Sequence, residues 1–187
     1  MNNRIKILKT ALRLFSDFGY ESVGIQQIVD EADITKPTLY HYFGSKRGLL
    51  DAILEEYFND LIEAVKIAAK YTEINSNMIN ITKTFFNFVK KNKTFYRMQL
   101  AMFFSSPHCE SHQAIEKYNK ILYDVLEELF IKAANDHGNM KGRQVRYAFT
   151  FLGMINNYIS LFISGYINLD DEAIQFAVHQ FSHGIYS

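Results

Sequence analysis

The sequence predicts an all-α protein of about nine helices: an N-terminal three-helix head of helix-turn-helix type, followed by a C-terminal helical bundle. Three observations carry that expectation. Of the 187 residues, 48% are hydrophobic, enough to bury a sizeable core. The only prolines are Pro37 and Pro107, and the few glycines fall mostly between long periodic stretches. Within those stretches apolar residues return at three- and four-residue steps, the spacing of one helix face.

The first helix is expected over about Arg4 to Phe18, with Ile5, Leu8, Leu12 and Phe15 on one face and Lys6, Lys9 and Arg13 on the other. Gly19 stands where a C-terminal glycine belongs. A short second helix follows, about Ile25 to Ala32, capped by Gly24 and striped by Ile25, Ile28 and Val29. Asp33 takes the turn. Thr35 caps a third helix, about Lys36 to Phe43, with Pro37 in a first turn that needs no proline N–H. Gly44 ends it and Ser45 caps a fourth, about Lys46 to Tyr71, whose apolar positions include Leu49, Ile53, Tyr57, Leu61 and Ile67. Five more helices are expected over about Met78 to Lys91, Phe95 to Phe104, Gln113 to Asn135, Arg143 to Ile167 and Asp171 to Gly184. The functional boundary is expected near residue 48, with 1–48 as the head and 49–187 as the rest.

Basic and acidic residues balance at 20 each, which argues against a nonspecific polybasic binder. Residues 1–48 carry seven basic side chains against five acidic, a small surplus whose placement matters more than its size. The lone Cys109 allows no internal disulfide and fits a reducing cytoplasm. Charges interrupt the stretch from Ile5 to Phe18, so it is no signal-peptide core. The run Tyr147 to Ile167 has the length of a membrane span, but Asn156 and Asn157 at its middle favour a buried helix of a soluble protein, and no membrane partner is expected.

The segment Ile25 to Phe43 reads as helix, tight turn, helix. The second helix of such a pair can enter a major groove and present the residues of its N-terminal half to base edges. Thr35, Thr38, Tyr40, His41 and Tyr42 supply hydroxyls and polar tips for that task. Leu39 and Phe43, four apart, are expected to face inward. Lys46 opens the next helix, where its ammonium and free backbone amides could meet a phosphate.

The run Ala11-Leu-Arg-Leu-Phe15, then Phe18-Gly-Tyr20, Ile28, Ile34-Thr-Lys-Pro-Thr-Leu-Tyr-His-Tyr-Phe43, Ser45-Lys46 and Leu49-Leu50 resembles the tetracycline-repressor (TetR) family of regulators. The resemblance covers about residues 5–54, and the block Thr38 to Phe43 followed by Ser45-Lys46 is its most specific part. It implies a dimeric bacterial transcription regulator, usually a repressor, in which the third helix enters the groove. Carried over by position, Lys36, Thr38, Tyr40 and His41 become base or groove-floor contacts, and Thr35, Tyr42 and Lys46 phosphate contacts. Two departures stand out. Gly24 occupies a capping position where the family favours Ser or Thr, and glycine caps nearly as well. Asp33 occupies a turn position where the family favours Gly, and aspartate tolerates a left-handed backbone.

The region from Phe85 to Phe162 is crowded with aromatic and methionine side chains, which suit either a packed core or an adaptable apolar pocket. The resemblance implies a small-molecule effector site among these helices. Its candidate lining is Tyr57, Leu61, Phe85, Met98, Met102, Tyr118, Leu122, Met154 and Tyr158. No cationic cluster accompanies them, Arg97 being the one possible exception, so a neutral apolar or aromatic effector is expected. A structural or dimer role is favoured for Asn156 and Asn157, with the pocket as the alternative. The last two helices are expected to form a homodimer interface through Leu152, Ile155, Ile159, Phe162, Ile174, Val178 and Phe181, with Phe149, Ile163, Tyr166 and Ile185 as further apolar surface. A two-fold dimer would read a pseudo-palindromic double-stranded operator whose half-sites lie about 34–36 Å apart.

Other classes are less favoured. His108, Cys109 and His112 could ligate a metal, as could His179 and His183 at four-residue spacing, yet a solvated loop and a helix surface explain them more simply. No glutamate has a histidine three residues later, and there is no phosphate loop, His-Glu-x-x-His motif or nucleophile triad. Neither an enzyme, a metal site nor a cofactor is expected.

Overall fold

The computed structural model describes residues 2–184. Ile185 therefore lies outside the described residues. Among them, nine α-helices and one 3₁₀ turn follow in order, with no strand: α1 (Asn3–Phe18), α2 (Ile25–Glu31), α3 (Lys36–Phe43), α4 (Lys46–Ala68), α5 (Ile74–Lys91), α6 (Lys93–Phe103), α7 (Glu110–Asp136), the turn Gly138–Met140, α8 (Gln144–Ile163) and α9 (Asp171–His183). The described chain forms two compact units. One holds the residues up to Asn59 together with Thr94–Tyr118. The other holds Asp60–Lys93 together with the residues from Asn119 onward.

In the first unit, α1, α2 and α3 pack on one another. Their core consists of Ile7, Leu8, Ala11, Leu12, Leu14, Phe15, Ile28, Val29, Leu39 and Phe43. Ile5, expected on the inner face of α1, is exposed, and Ile7 and Leu14 are buried. The buried stripe is therefore centred on Ile7, Ala11 and Leu14 as well as Leu8, Leu12 and Phe15, wider than the predicted one. An aromatic cluster holds the rest of this unit. Tyr57 stacks on Phe95 at 4.6 Å between ring centres, and Phe58 stacks on Tyr118 at 4.6 Å. Phe58 also meets Phe95 edge-on at 5.3 Å.

In the second unit, α5, α8 and α9 pack on one another. Phe130 of α7, Phe151 of α8 and Phe181 of α9 meet at 5.1–6.1 Å. Several helix ends differ from expectation, and at two of them a side chain claims backbone groups. The helix α4 stops at Ala68 rather than Tyr71, where buried Asn77 donates to the carbonyls of Ala68 and Lys70 and accepts from Thr72 N–H. The helix α5 starts at Ile74 rather than Met78, because the Glu73 carboxylate accepts from the N–H groups of Asn75 and Ser76, both at 2.8 Å. The helix α8 ends at Ile163 rather than Ile167. There Gly165 takes φ 83° and Tyr166 N–H closes back on Leu161 O.

Burial within the chain divides the expected dimer residues. Leu152, Ile155, Ile159, Ile174 and Val178 are buried within the chain's own second unit, and Phe162 and Phe181 are half-buried. The α8 and α9 periodicity that suggested an interface belongs to the unit's own core. Among the described residues, Val145, Phe149, Leu161, Tyr166 and Phe176 are the large apolar side chains left exposed on or just after these helices. Replacing Ile159 with alanine should therefore lower the unfolding free energy by about 2–5 kcal/mol in a denaturant titration. Phe176→Ala should leave it within about 0.5 kcal/mol at a protein concentration low enough to keep the chain monomeric.

Candidate nucleic-acid interface

The turn between α2 and α3 sets the direction of α3. Asp33 has φ 47°, the only positive value at a non-glycine among the described residues. Ile34 N–H donates to Val29 O at 3.0 Å and Asp33 N–H to Asp30 O at 3.2 Å, the closing pattern of a helix that ends in a left-handed residue. The aspartate thus adopts the backbone that the turn requires. Gly24 caps α2 with an extended backbone and no side-chain bond. Thr35 stands at the N-cap of α3, but its hydroxyl bonds the Thr38 hydroxyl at 2.9 Å rather than a backbone amide. The first N–H groups of α3 consequently have no side-chain cap from Thr35.

Leu39 and Phe43 are buried beneath α3, as their spacing predicts. That anchoring turns Lys36, Tyr40, His41 and Tyr42 outward, and all four are exposed. Thr35 is exposed as well, and Thr38 is half-buried. His41 meets the Tyr42 ring edge-on at 5.4 Å. Six of the seven expected DNA-contacting residues therefore share one helix and its cap.

The seventh, Lys46, is placed differently. Its ammonium donates to Tyr20 O at 2.8 Å and to Val23 O at 2.9 Å, and lies 4.1 Å from the Tyr20 ring centre. Burial lowers its pKa, while Glu110 and Glu21 oppose that shift. Two of its three N–H bonds thus hold the loop before α2. The nearby Ser45 hydroxyl accepts from Gly48 N–H at 2.9 Å and caps α4 as predicted. Gly48 adds a constraint that periodicity does not show. A Cβ there would stand 2.1 Å from the Phe43 carbonyl oxygen, so only glycine lets α3 and α4 meet this closely. A glycine inside the first turn of a helix was the available signal.

The α1–α2 loop carries a second polar group that periodicity could not reveal. Tyr20 donates its hydroxyl to Glu110, and Ser111 donates both N–H and hydroxyl to Glu21. Burial and the Glu110 bond raise the Tyr20 phenol well above its ordinary pKa. Burial alone would raise the Glu21 carboxyl, but the Ser111 bonds outweigh it and hold the group below its usual value. Arg97, the possible exception among the expected pocket residues, instead bonds Ser16 and Asp17.

The candidate effector residues divide between the units. In the first, Met98, Met102 and Tyr118 are buried and Tyr57 is half-buried. In the second, Leu61, Phe85 and Leu122 are buried, and Met154 and Tyr158 are half-buried. The Tyr158 hydroxyl lies 3.2 Å from the Gln180 side-chain oxygen. Asn157 is exposed and Asn156 is half-buried with a partner. Among the histidines weighed as ligands, His112 lies 3.3 Å from Met102 O, and the His179 and His183 rings are 4.6 Å apart. No group of three or more potential metal-ligating side chains gathers among the described residues. No described helix is long and apolar enough to cross a membrane.

Three packed helices, a left-handed turn and an outward-facing polar helix define a helix-turn-helix head. Residues 7–53 match the sequence profile of the bacterial regulatory proteins of the tetR family. The likeness to that family lies in the head, within residues 7–53. The chain is 32% identical over 96 residues to the HTH-type transcriptional activator FasR of Mycolicibacterium smegmatis, a stretch covering 51% of this chain and 44% of that protein. The matched stretch thus spans less than half the length of that relative. Two solved structures share the fold over 97% of this chain and 99% of theirs. A Clostridium perfringens putative fatty acid metabolism regulator superposes with a TM-score of 0.82 at 17% identity. The Bacillus subtilis regulator FadR, in complex with stearoyl-CoA, superposes with 0.79 at 18%.

Two outcomes test the head. Lys46→Ala leaves two carbonyls in buried surroundings without their donor, so thermal unfolding should show a loss of about 1–3 kcal/mol. Tyr40→Ala should change preference among DNA sequences more than it changes nonspecific affinity, measured by competition gel shift. A uniform loss across sequences would assign Tyr40 to the DNA backbone instead.

Proposed function

We propose that this chain is a cytoplasmic, homodimeric, DNA-binding transcription repressor that leaves a pseudo-palindromic operator when a small apolar or aromatic effector binds. The observation that carries the reading is α3. Its apolar side is sealed under Leu39 and Phe43, and its polar side presents Lys36, Tyr40, His41 and Tyr42 to solvent. In this reading Lys36, Thr38, Tyr40 and His41 meet base edges, while Thr35, Tyr42 and the remaining Lys46 proton meet phosphates. Residues 1–48 serve as the reading domain, and 49–187 serve sensing and dimerisation.

The expected effector residues give two candidate groups, each within one unit: Tyr57, Met98, Met102 and Tyr118 in the first, and Leu61, Phe85, Leu122, Met154 and Tyr158 in the second. Their apolar character agrees with the stearoyl-CoA bound by FadR and the fatty acid role in the name of the C. perfringens protein. The effector class we favour is therefore a molecule with a long apolar part. The dimer would form through the exposed Phe149, Leu161, Tyr166 and Phe176, which supply apolar surface that the chain does not cover. Repression follows from a dimer that occupies promoter DNA. FasR carries the name of an activator, so the direction of control is a measurement in its own right.

Selection of bound duplexes from random DNA, followed by transcription from a template bearing the selected site, tests the whole reading. The expected result is an inverted repeat and reduced transcription. An absence of any enriched sequence would sink the proposal. On the selected duplex, Lys46→Ala should flatten the dependence of log affinity on log salt by about one. An unchanged slope would remove Lys46 from the phosphate contacts and leave it only the structural role. Sedimentation at micromolar concentration should show a dimer that Phe176→Ala weakens.

A further inference from the structure

We propose that Glu110 and Ser111, on the first turn of α7, are positioning residues for the recognition helix: they clamp the loop between α1 and α2, and Lys46 carries that restraint to the corner between α3 and α4. The inference rests on the DNA-reading function proposed above and adds a route for its control. All the residues involved lie within the first compact unit.

The loop is gripped from two sides. On one side Ser111, 1% exposed, donates its N–H at 3.1 Å and its hydroxyl at 2.6 Å to the same Glu21 oxygen. Glu21 thereby caps the start of α7 from 90 residues away, where a carboxylate also favours the positive helix end. Beside it, the Tyr20 hydroxyl donates to Glu110 at 2.5 Å, and Arg47 lies 3.5 Å from Glu110 O and 4.0 Å from its carboxylate. On the other side Lys46 holds Tyr20 O and Val23 O and packs against the Tyr20 ring. Lys46 stands two residues beyond Gly44, the cap of α3, and Gly48 lies against the last carbonyl of α3.

The apolar head core would hold the helices together but fix their angles loosely. Directional bonds to two adjacent loop residues fix the orientation of the loop relative to the start of α7. A displacement of that turn must either break charge-assisted bonds at Glu21 or drag the loop, and with it Lys46 and the end of α3. A second set of contacts, Arg97 to Asp17, Asp17 to Arg13 and Arg13 to Glu31 of α2, runs in the same direction. Its members are 35–51% exposed, so solvent and salt weaken it, and the clamp is the stronger restraint. Coupling between two sites is reciprocal, so whatever holds α3 must also steady the start of α7.

Hydrogen exchange on the full chain, read by mass spectrometry, tests the clamp. The variant is Tyr20→Phe with Ser111→Ala, which keeps the ring beneath Lys46 and the backbone N–H at 111. In the free protein, amides of residues 35–46 should exchange about fivefold faster in the variant or more. Lys120→Ala, which removes only a surface pair with Asp124, should leave them unchanged. When the selected duplex is bound, amides of 110–118 should slow by a similar factor in the wild type and not in the variant, a response that a merely structural contact would not give. Unchanged exchange at 35–46, or duplex-induced slowing at 110–118 that survives the double substitution, would overturn the clamp. A chain that retains no duplex defeats the DNA-reading proposal instead, and the free-protein comparison still decides the clamp. If the double variant melts below the working temperature, Tyr20→Phe alone gives the same comparison.

Discussion

The burial of Leu39 and Phe43 beneath α3 is the constraint from which the head takes its meaning. Two apolar side chains four residues apart fix the rotation of an eight-residue helix about its own axis. Once they are inside, Tyr40, His41 and Tyr42 have only the solvent side left to them. A helix this short has little stability of its own, so it persists because its inner side joins the core of α1 and α2. The polar surface that α3 offers to solvent is the outward consequence of inward packing.

Direction along the chain is set by equally small devices. Asp33 bends the backbone into the left-handed region and sends α3 away from α2. Gly48 removes the one atom that would keep α4 off the end of α3. Lys46 then spends most of its hydrogen-bonding capacity on two carbonyls, which joins the start of α4 to the loop before α2. A residue expected to serve only a ligand's charge is thus also a structural tie. The proposed phosphate contact is compatible with that tie because an ammonium has three protons.

In the second unit the same economy of apolar residues produces a different result. The stripes of α8 and α9 are absorbed by contact with α5 and with one another, and by the Phe130, Phe151 and Phe181 cluster. What remains outside is a minority of large side chains, Val145, Phe149, Leu161, Tyr166 and Phe176, at positions between the covered ones. Periodicity identifies a helix with apolar residues on more than one side. It does not say which side meets the chain's own core.

Much of the head could be read from the order of residues alone, because its determinants are local. A cap, a helical period, a turn residue and a C-terminal glycine act within a few positions of one another, and residues 24–46 contain all of them. Periodicity misplaces the helix ends at Ala68 and Ile74 because Asn77 and Glu73 act on backbone groups whose exposure depends on the turn itself. The partnership of Glu21 with Ser111, of Tyr20 with Glu110 and of Lys46 with Val23 joins positions from 23 to 90 residues apart. No local pattern encodes such pairs, since each partner alone reads as an ordinary surface residue. Only the folded chain selects them, because burial is what makes an unpaired carbonyl or carboxylate costly and forces it to find the donor that the tertiary packing brings near.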